Sequence, residues 1–349
     1  MGEVAAPSQM ERATPAMFWE PRPGEAVVCT LCPHRCHIGP GLYGVCGVRR
    51  NSGGRLDTLI YELAAAINVD PIEKKPLFHF LPGSRSLSVA TVGCSFKCPF
   101  CQNHDISQIT KGKKRSIVGR HVTPGEVVAL AKETGSRSIA FTYSEPTIFY
   151  EYAFDCARLA AAEGIRGVFV SNGFICEEPL GQIRPYVQAY NVDLKGFDPE
   201  YYQKILGARL EPVLEAIKLI HQLGFWLEIT TLVVPTQNDD PATLRRMAEF
   251  IAGISPDIPW HLTAFHPDYK MRDLPRTSPA TLRRARQIGL DVGLRYVYTG
   301  NIPGDDGEST FCPGCTSRLI HRLGHQVLVN RLQGNRCPDC GTAIPGVWE

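Results

Sequence analysis

The sequence predicts an α/β fold, a parallel (β/α) barrel flanked by two cysteine-rich segments, and three observations predict it. Strand-like and helix-like runs alternate from residue 85 to residue 305, mostly at the ~30-residue spacing of a βαβ unit. Unusual polar residues (Cys94, Glu145, Asn172, Asp193, Lys195 and His266) fall at or just past the predicted strand ends. A parallel barrel gathers those ends on one rim, which favours it over a doubly wound sheet. His261, near a strand start, is the exception. All of the 13 cysteines except Cys156 and Cys176 fall in three sets, two of them outside that span.

Taken in order, residues 1–24 are rich in Pro, Ala and charge and are expected to form a loosely ordered arm. Residues 25–84 are expected to be a cysteine-rich metal-binding region ending in the turn Leu81-Pro82-Gly83-Ser84. Barrel strands are expected at 87–92, 138–143, 166–171, 190–194, 226–233 and 260–265, from their buried-strand composition and turn boundaries. Thr123-Pro124-Gly125-Glu126 reads as a capping box with Pro at the first helical position. The amphipathic run 211–223 stops at Gly224, and Ser278-Pro279 opens a helix to about Val292. Residues 102–121 form a polar insertion, and residues 306–349 a small C-terminal module.

The net charge of +2 and 44% hydrophobic content fit a globular chain without bulk nucleic-acid or membrane-surface binding. With no leader-like or membrane-length apolar run, a cytoplasmic protein with no membrane partner is expected. Thiols in a reducing compartment point to metal sites rather than disulfides.

Cys94-Ser-Phe-Lys-Cys98-Pro-Phe-Cys101 places three thiolates on a loop after the first barrel strand. They can ligate three irons of a cubane and leave the fourth open, whereas ferredoxin clusters and structural zinc sites are closed by four ligands. An open iron suits chelation by the amino and carboxylate groups of S-adenosylmethionine (SAM), whose sulfonium an electron then cleaves to a 5′-deoxyadenosyl radical. A zinc site completed by His104, or unligated core cysteines, is the alternative.

Cys312, Cys315, Cys337 and Cys340 make two knuckles with zinc-ribbon spacing, so zinc is expected, with rubredoxin-like iron or an auxiliary cluster as alternatives. For Cys29, Cys32, Cys36 and Cys46, zinc and a second Fe–S cluster both fit, as do free thiols. Alternation puts Asn191, Asp193 and Lys195 on one strand face. His266 or Tyr269 could handle substrate or its proton. The basic run 111–115 reads as a solvated loop.

The trio, with Phe100 before its last cysteine, resembles the radical SAM superfamily signature. The resemblance implies that Phe100 lies against the SAM adenine and that Glu145 accepts from the SAM ammonium. In Tyr143-Ser144-Glu145-Pro146 only Glu-Pro of the family's Gly-Gly-Glu-Pro survives. Asp193-Leu-Lys195 and Ser171-Asn172-Gly173-Phe174 resemble pyruvate formate-lyase-activating enzymes, implying that Asn172, Asp193 and Lys195 belong to the SAM site. His261 is a further SAM contact, and Lys195 and His266 are the expected catalytic residues. The blocks 70–77, 101–103, 265–271 and 296–303 resemble the radical SAM member of the AmmeMemoRadiSam system. That resemblance implies a partial (β/α)6 TIM-type barrel, a [4Fe–4S] cluster, an external one-electron donor of flavodoxin or ferredoxin type, and partners of Memo and AMMECR type. The expected reaction is hydrogen abstraction from a small molecule or an RNA base. Activation of a glycyl-radical enzyme is the alternative, and a non-catalytic module that recruits partners or nucleic acid is a third reading.

Overall fold

The computed structural model describes residues 13–112, 115–302 and 304–349. One eight-stranded sheet runs through its centre. Its strands are β1 (Ala66–Pro71), β2 (Arg85–Ala90), β3 (Ser138–Phe141), β4 (Arg166–Ser171), β5 (Val187–Asp193), β6 (Trp226–Val233), β7 (Trp260–Ala264) and β8 (Val297–Gly300). They pair in sequence order. All neighbours from β2 to β8 are parallel, and β1 joins β2 antiparallel.

The six expected strands all form. A seventh parallel strand, β8, arises from the block that begins at Tyr296. Among the described residues the end strands β1 and β8 do not pair, so the sheet is open and mostly parallel rather than a closed barrel.

Helices cross between the parallel strands: α1 (Pro124–Glu133), α2 (Tyr150–Ala162), α3 (Glu177–Ile183), α4 (Leu210–Gln222), α5 (Pro241–Ile254) and α6 (Pro279–Val292). Their starts follow local chemistry. The capping box at Thr123 is present, with Glu126 N donating to Thr123 Oγ1 at 3.3 Å and Thr123 N to Glu126 Oε2 at 2.7 Å. Asp240 and Ser278 cap α5 and α6 in the same way, each followed by Pro at the first helical position. α4 buries Leu210, Val213, Ile217 and Ile220, the stripe that 3.6-residue periodicity predicts.

Two expectations fail in the flanks, and a third element is docked more closely than its size suggests. Residues 13–22 are not a loose arm: Thr14–Pro15 pairs with Leu56–Thr58, and Trp19–Arg22 pairs with Ala26–Cys29. Phe18 anchors the segment edge-on against Tyr150 at 5.0 Å, and the Pro/Ala/charge composition had masked that contact. Residues 1–12 lie outside the described residues. The boundary at 84 also moves, because β1 belongs to the central sheet. Residues 306–349 keep a small sheet of β9 (Thr310–Phe311), β10 (Arg318–Leu323) and β11 (Gln326–Asn330), yet they share a core with Phe78, Tyr296 and Tyr298. Arg322, with no side-chain exposure, donates to the Phe78 carbonyl at 2.7 Å and faces Glu73 at 3.6 Å. The module is therefore docked on residues 73–81. No helix among the described residues is long and apolar enough to cross a membrane.

Candidate functional site

A cavity of about 500 Å³ lies at one face of the sheet. The two-residue period of the strands builds its wall: Val170 and Asn172 face it from β4 and its end, Asp193 and Lys195 from β5, Thr230 and Leu232 from β6, and His261 and Thr263 from β7. Its size falls within the roughly 300–1,000 Å³ of small-molecule pockets.

The loop after β2 brings Cys94, Cys98 and Cys101 to this cavity together with Phe100, which is 4% exposed. Phe96 N donates to Cys94 Sγ at 3.3 Å, and the Cys101 Sγ to Ser107 Oγ distance is 3.1 Å. Burial pushes the Cys98 thiol up to about 11 and lifts that of Cys94 as well, so thiolates here need a cation beside them. No fourth cysteine lines the cavity. His104 stacks instead on Tyr269 at 4.5 Å and does not complete a set with the trio. Three thiols around one cavity fit a cubane with one open iron and do not fit a closed zinc site.

Glu145 is 2% exposed and organises the ends of β3 and β4. Its Oε1 accepts from Thr147 N at 3.0 Å, Thr147 Oγ1 at 2.7 Å and Ser171 Oγ at 2.7 Å, and its Oε2 from Asn172 N at 2.8 Å. Four protein donors occupy the roughly four acceptor positions of a carboxylate. The side chain sits at the expected place, but its geometry is that of a positioning residue. Asn172, held by Glu145, extends its Nδ2 to Ser95 Oγ at 3.0 Å and Cys94 Sγ at 3.9 Å, which ties β4 to the cysteine loop.

Lys195 donates to Asp193 at 2.8 Å. Burial works against its charge, yet Asp193 and the Cys98 sulfur hold its pKa above the ordinary lysine value, so it remains a cation at neutral pH. His261 is deep on the wall, with Nε2 2.6 Å from Glu228 Oε2 and its ring stacked on Tyr298. His266 and Tyr269 do not line the cavity. His266 Nδ1 lies 3.1 Å from the Gln102 amide at the rim, and Lys270 N donates to the Pro99 carbonyl at 2.9 Å. Their segment thus buttresses the cysteine loop from outside.

The solvated reading of the basic run fails at its first residue. Lys111 Nζ donates to the Phe96 carbonyl, and burial pushes its pKa down against the pull of Cys94, Cys98, Cys46 and Cys101. Arg115 caps the Tyr43 ring at 3.7 Å. Lys113 and Lys114 lie outside the described residues.

Two contributors to the site carried no chemical signal in the sequence. The first is the block 70–76. Asp70 accepts from Lys74 at 2.8 Å, Lys75 at 2.6 Å and Ser88 at 2.8 Å, and also from the Tyr143 hydroxyl. Tyr143 adopts φ +61°, the left-handed region that glycine favours, and carries Lys75 Nζ over its ring at 4.6 Å. This is the position where the family's first glycine is replaced. The second is the C-terminal module, whose Glu308, Gly324 and His325 reach the cavity. The first stood out only as one block of a family resemblance, and nothing local hinted at the second.

The module also holds the one tight ligand group found among the described residues. The sulfurs of Cys312, Cys315, Cys337 and Cys340 all lie within 4.8 Å of one another, with Cys312–Cys340 at 3.6 Å and Cys315–Cys337 at 3.7 Å.

Comparisons with known proteins agree with this geometry. The family description "Radical SAM superfamily" matches residues 88–249. An uncharacterized protein of Methanocaldococcus jannaschii is 40% identical, over 94% of this chain and 98% of its own length. The pyruvate formate-lyase 1-activating enzyme of Escherichia coli is 23% identical, over 62% of this chain and 93% of its own. The crystal structure of a radical SAM methyltransferase from Sphaerobacter thermophilus superposes with a TM-score of 0.50 and 18% identity, over 64% of this chain and 68% of that one. That last likeness concerns the fold.

Proposed function

The chain belongs to the radical SAM superfamily and is an enzyme of that kind; on that premise we propose that it abstracts a hydrogen atom from a small anionic molecule at the Lys75 end of the cavity. The observation that carries this reading is the meeting of three thiols, and only three, with a cavity of small-molecule size.

When bound, a [4Fe–4S] cluster and SAM would supply reductive cleavage chemistry that delivers a hydrogen-abstracting radical. Cys94, Cys98 and Cys101 hold three of the irons, and Phe100 offers an apolar surface to the adenine. Asn172 fixes the cysteine loop, with Glu145 positioning it. Asp193 and Lys195 present a paired carboxylate and ammonium to the polar groups of SAM, and His261 marks the depth of the wall. His266, with Gln102, handles protons at the rim. At the other end Asp70 shares one carboxylate between Lys74 and Lys75, whose remaining N–H groups can meet an anionic group of the substrate. Glu308 and His325 of the C-terminal module cover that end.

Supporting detail extends to the partners. The seven parallel strands and one-sided cavity suit the curved, partial barrel of this superfamily. The 70–77 block and its neighbours support membership of the AmmeMemoRadiSam system, with Memo- and AMMECR-type partners. A flavodoxin- or ferredoxin-type donor supplies the electron, zinc occupies the C-terminal quartet, and a reducing cytoplasm suits this set of free thiols. Activation of a glycyl-radical protein is the second reading, supported by the likeness to the activating enzyme.

Anaerobic reconstitution with iron, sulfide and SAM tests the proposal. The expected result is 5′-deoxyadenosine and methionine after reduction, with none formed by Cys98→Ala. Cleavage by that variant overturns the assignment. Deuterium appearing in 5′-deoxyadenosine from labelled anionic metabolites supports the small-molecule reading; deuterium from a labelled glycyl-radical protein replaces it with the second.

A further inference from the structure

The N-terminal quartet does not resemble the C-terminal one. Cys29, Cys32, Cys36 and Cys46 line a single small pocket of about 20 Å³. Among the described residues, however, the C-terminal quartet alone brings its ligand atoms within 4.8 Å of one another. The C-terminal spacings of 3.6 and 3.7 Å match the ~3.8 Å edge of a tetrahedron with Zn–S bonds of about 2.3 Å. The N-terminal sulfurs are not all drawn together to within 4.8 Å of one another, as thiolates are not when each binds a different iron. The Cys94–Cys98–Cys101 trio is likewise absent from the tight groups.

Three local features fit a cluster in that space. A side chain at Gly44 would place its Cβ 3.7 Å from Cys36 Sγ and 3.8 Å from Cys46 Sγ, so this glycine keeps the gap between them clear. Val45 N donates to Cys36 Sγ at 3.5 Å and Arg49 Nη1 to Cys29 Sγ at 3.8 Å, contacts that offset negative charge on sulfur. Arg49, with 2% side-chain exposure, pairs with Glu151, yet its Nε has no hydrogen-bond partner among the described residues. A buried guanidinium N–H without an acceptor, on the wall of a pocket lined by thiols, is a donor awaiting a ligand such as inorganic sulfide.

The pocket also shares a wall with the SAM site. Ser95, adjacent to Cys94, lines it and accepts from Asn172 at 3.0 Å. Gly93 at φ +102° lies so close to the quartet that a Cβ there would meet Val48 at 2.8 Å and the Cys46 carbonyl at 3.2 Å. Leu42 and Val45, in the loop between Cys36 and Cys46, are 61% and 51% exposed, so the site also lies near the surface.

We propose that Cys29, Cys32, Cys36 and Cys46 bind a second [4Fe–4S] cluster, closed by four thiolates, adjoining the SAM-binding cluster across the Gly93–Ser95 wall. Four protein ligands leave it no open iron, so it does not bind SAM.

The experiment compares the full-length wild-type chain with the Cys94→Ala/Cys98→Ala/Cys101→Ala variant, both reconstituted anaerobically with iron and sulfide, by metal and sulfide analysis and by EPR after reduction. The proposal expects about eight irons and one zinc per chain in the wild type and about four irons and four sulfides in the variant. It also expects the variant's EPR signal to be unchanged by SAM. A variant with less than about one iron per chain and about two zincs overturns it, whatever the wild type does with SAM. If the variant does not fold, the wild-type stoichiometry decides: about four irons with two zincs overturns the proposal, and about eight irons with one zinc upholds it. In a further arm, Cys36→Ala/Cys46→Ala should lose the SAM-insensitive signal and about half the iron; retention of both also overturns it.

Discussion

The cysteine trio and the C-terminal quartet use one residue type to opposite ends. The quartet draws its sulfurs to 3.6–3.7 Å on two tight knuckles and sits in a small core that Leu319, Ile320 and Ile344 share with Phe78, Tyr296 and Tyr298. The trio is one ligand short, opens on a cavity, and is held by the more distant Asn172 and Lys111 as well as by contacts within its own loop. A closed set can act as a structural staple because its coordination is complete. An incomplete set is reactive for the same reason, and the rest of the protein must hold it in place.

The largest expected effect tests that division directly. Cys98→Ala should abolish SAM cleavage and leave the metal of the C-terminal quartet in place, whereas Cys337→Ser should lose that metal and keep the trio's iron. Metal analysis and 5′-deoxyadenosine measurement on both variants check this, and loss of the quartet's metal from Cys98→Ala would break the comparison. Next in size is Arg322→Ala, which strands Glu73 and unpins the module from Phe78. Breaking such a buried pair costs about 3–5 kcal/mol, read from denaturant midpoints, with iron content at the trio unchanged.

A pH effect sharpens the same contrast. His79 holds the module's tail, with Nδ1 2.7 Å from the Pro345 carbonyl and Nε2 2.6 Å from the Tyr298 hydroxyl. Burial drives its pKa down to about 4, with Glu228 pulling the other way. The unfolded chain takes up this proton near 6.5. Between those values the unfolded state binds more protons, so stability is full above the window and falls as pH drops through it, by up to about 1.4 kcal/mol per unit. His79→Gln should flatten that slope in thermal melts from pH 7 to pH 5; an unchanged slope would assign it elsewhere. The smallest effect is expected of Asn172→Ala, about 1 kcal/mol of stability, with an altered EPR line shape of the trio's cluster and no change in the quartet's metal.

The cavity wall was legible in the sequence because strand alternation and the C-x3-C-x2-C spacing are local signals. Asp193 and Lys195 needed only a period of two, and the caps at Thr123 and Ser278 only three or four residues. What the sequence withheld depends on contacts across long stretches of chain. Lys111 looked like a surface lysine because Phe96 and Cys46, which bury it, lie far from it in sequence. Asp70, Tyr143 and Lys75 form one network from two blocks, and no periodicity links them. Glu145 lines the cavity, but two of its four donors, from Ser171 and Asn172, come from another strand end and could not be read from its neighbours. The open sheet was unreadable because pairing between the end strands leaves no mark on either strand alone.

One feature of the fold bears on how such a protein is made. Val347 donates to the His79 carbonyl at 2.7 Å and accepts from Leu81 N at 2.6 Å, beneath the segment that docks the C-terminal module over the cavity. During synthesis the cysteine loop leaves the ribosome some 250 residues before this clasp can close. A partly made chain can therefore present its thiols for loading before the cavity is covered, and the cover closes only once residue 347 has been made.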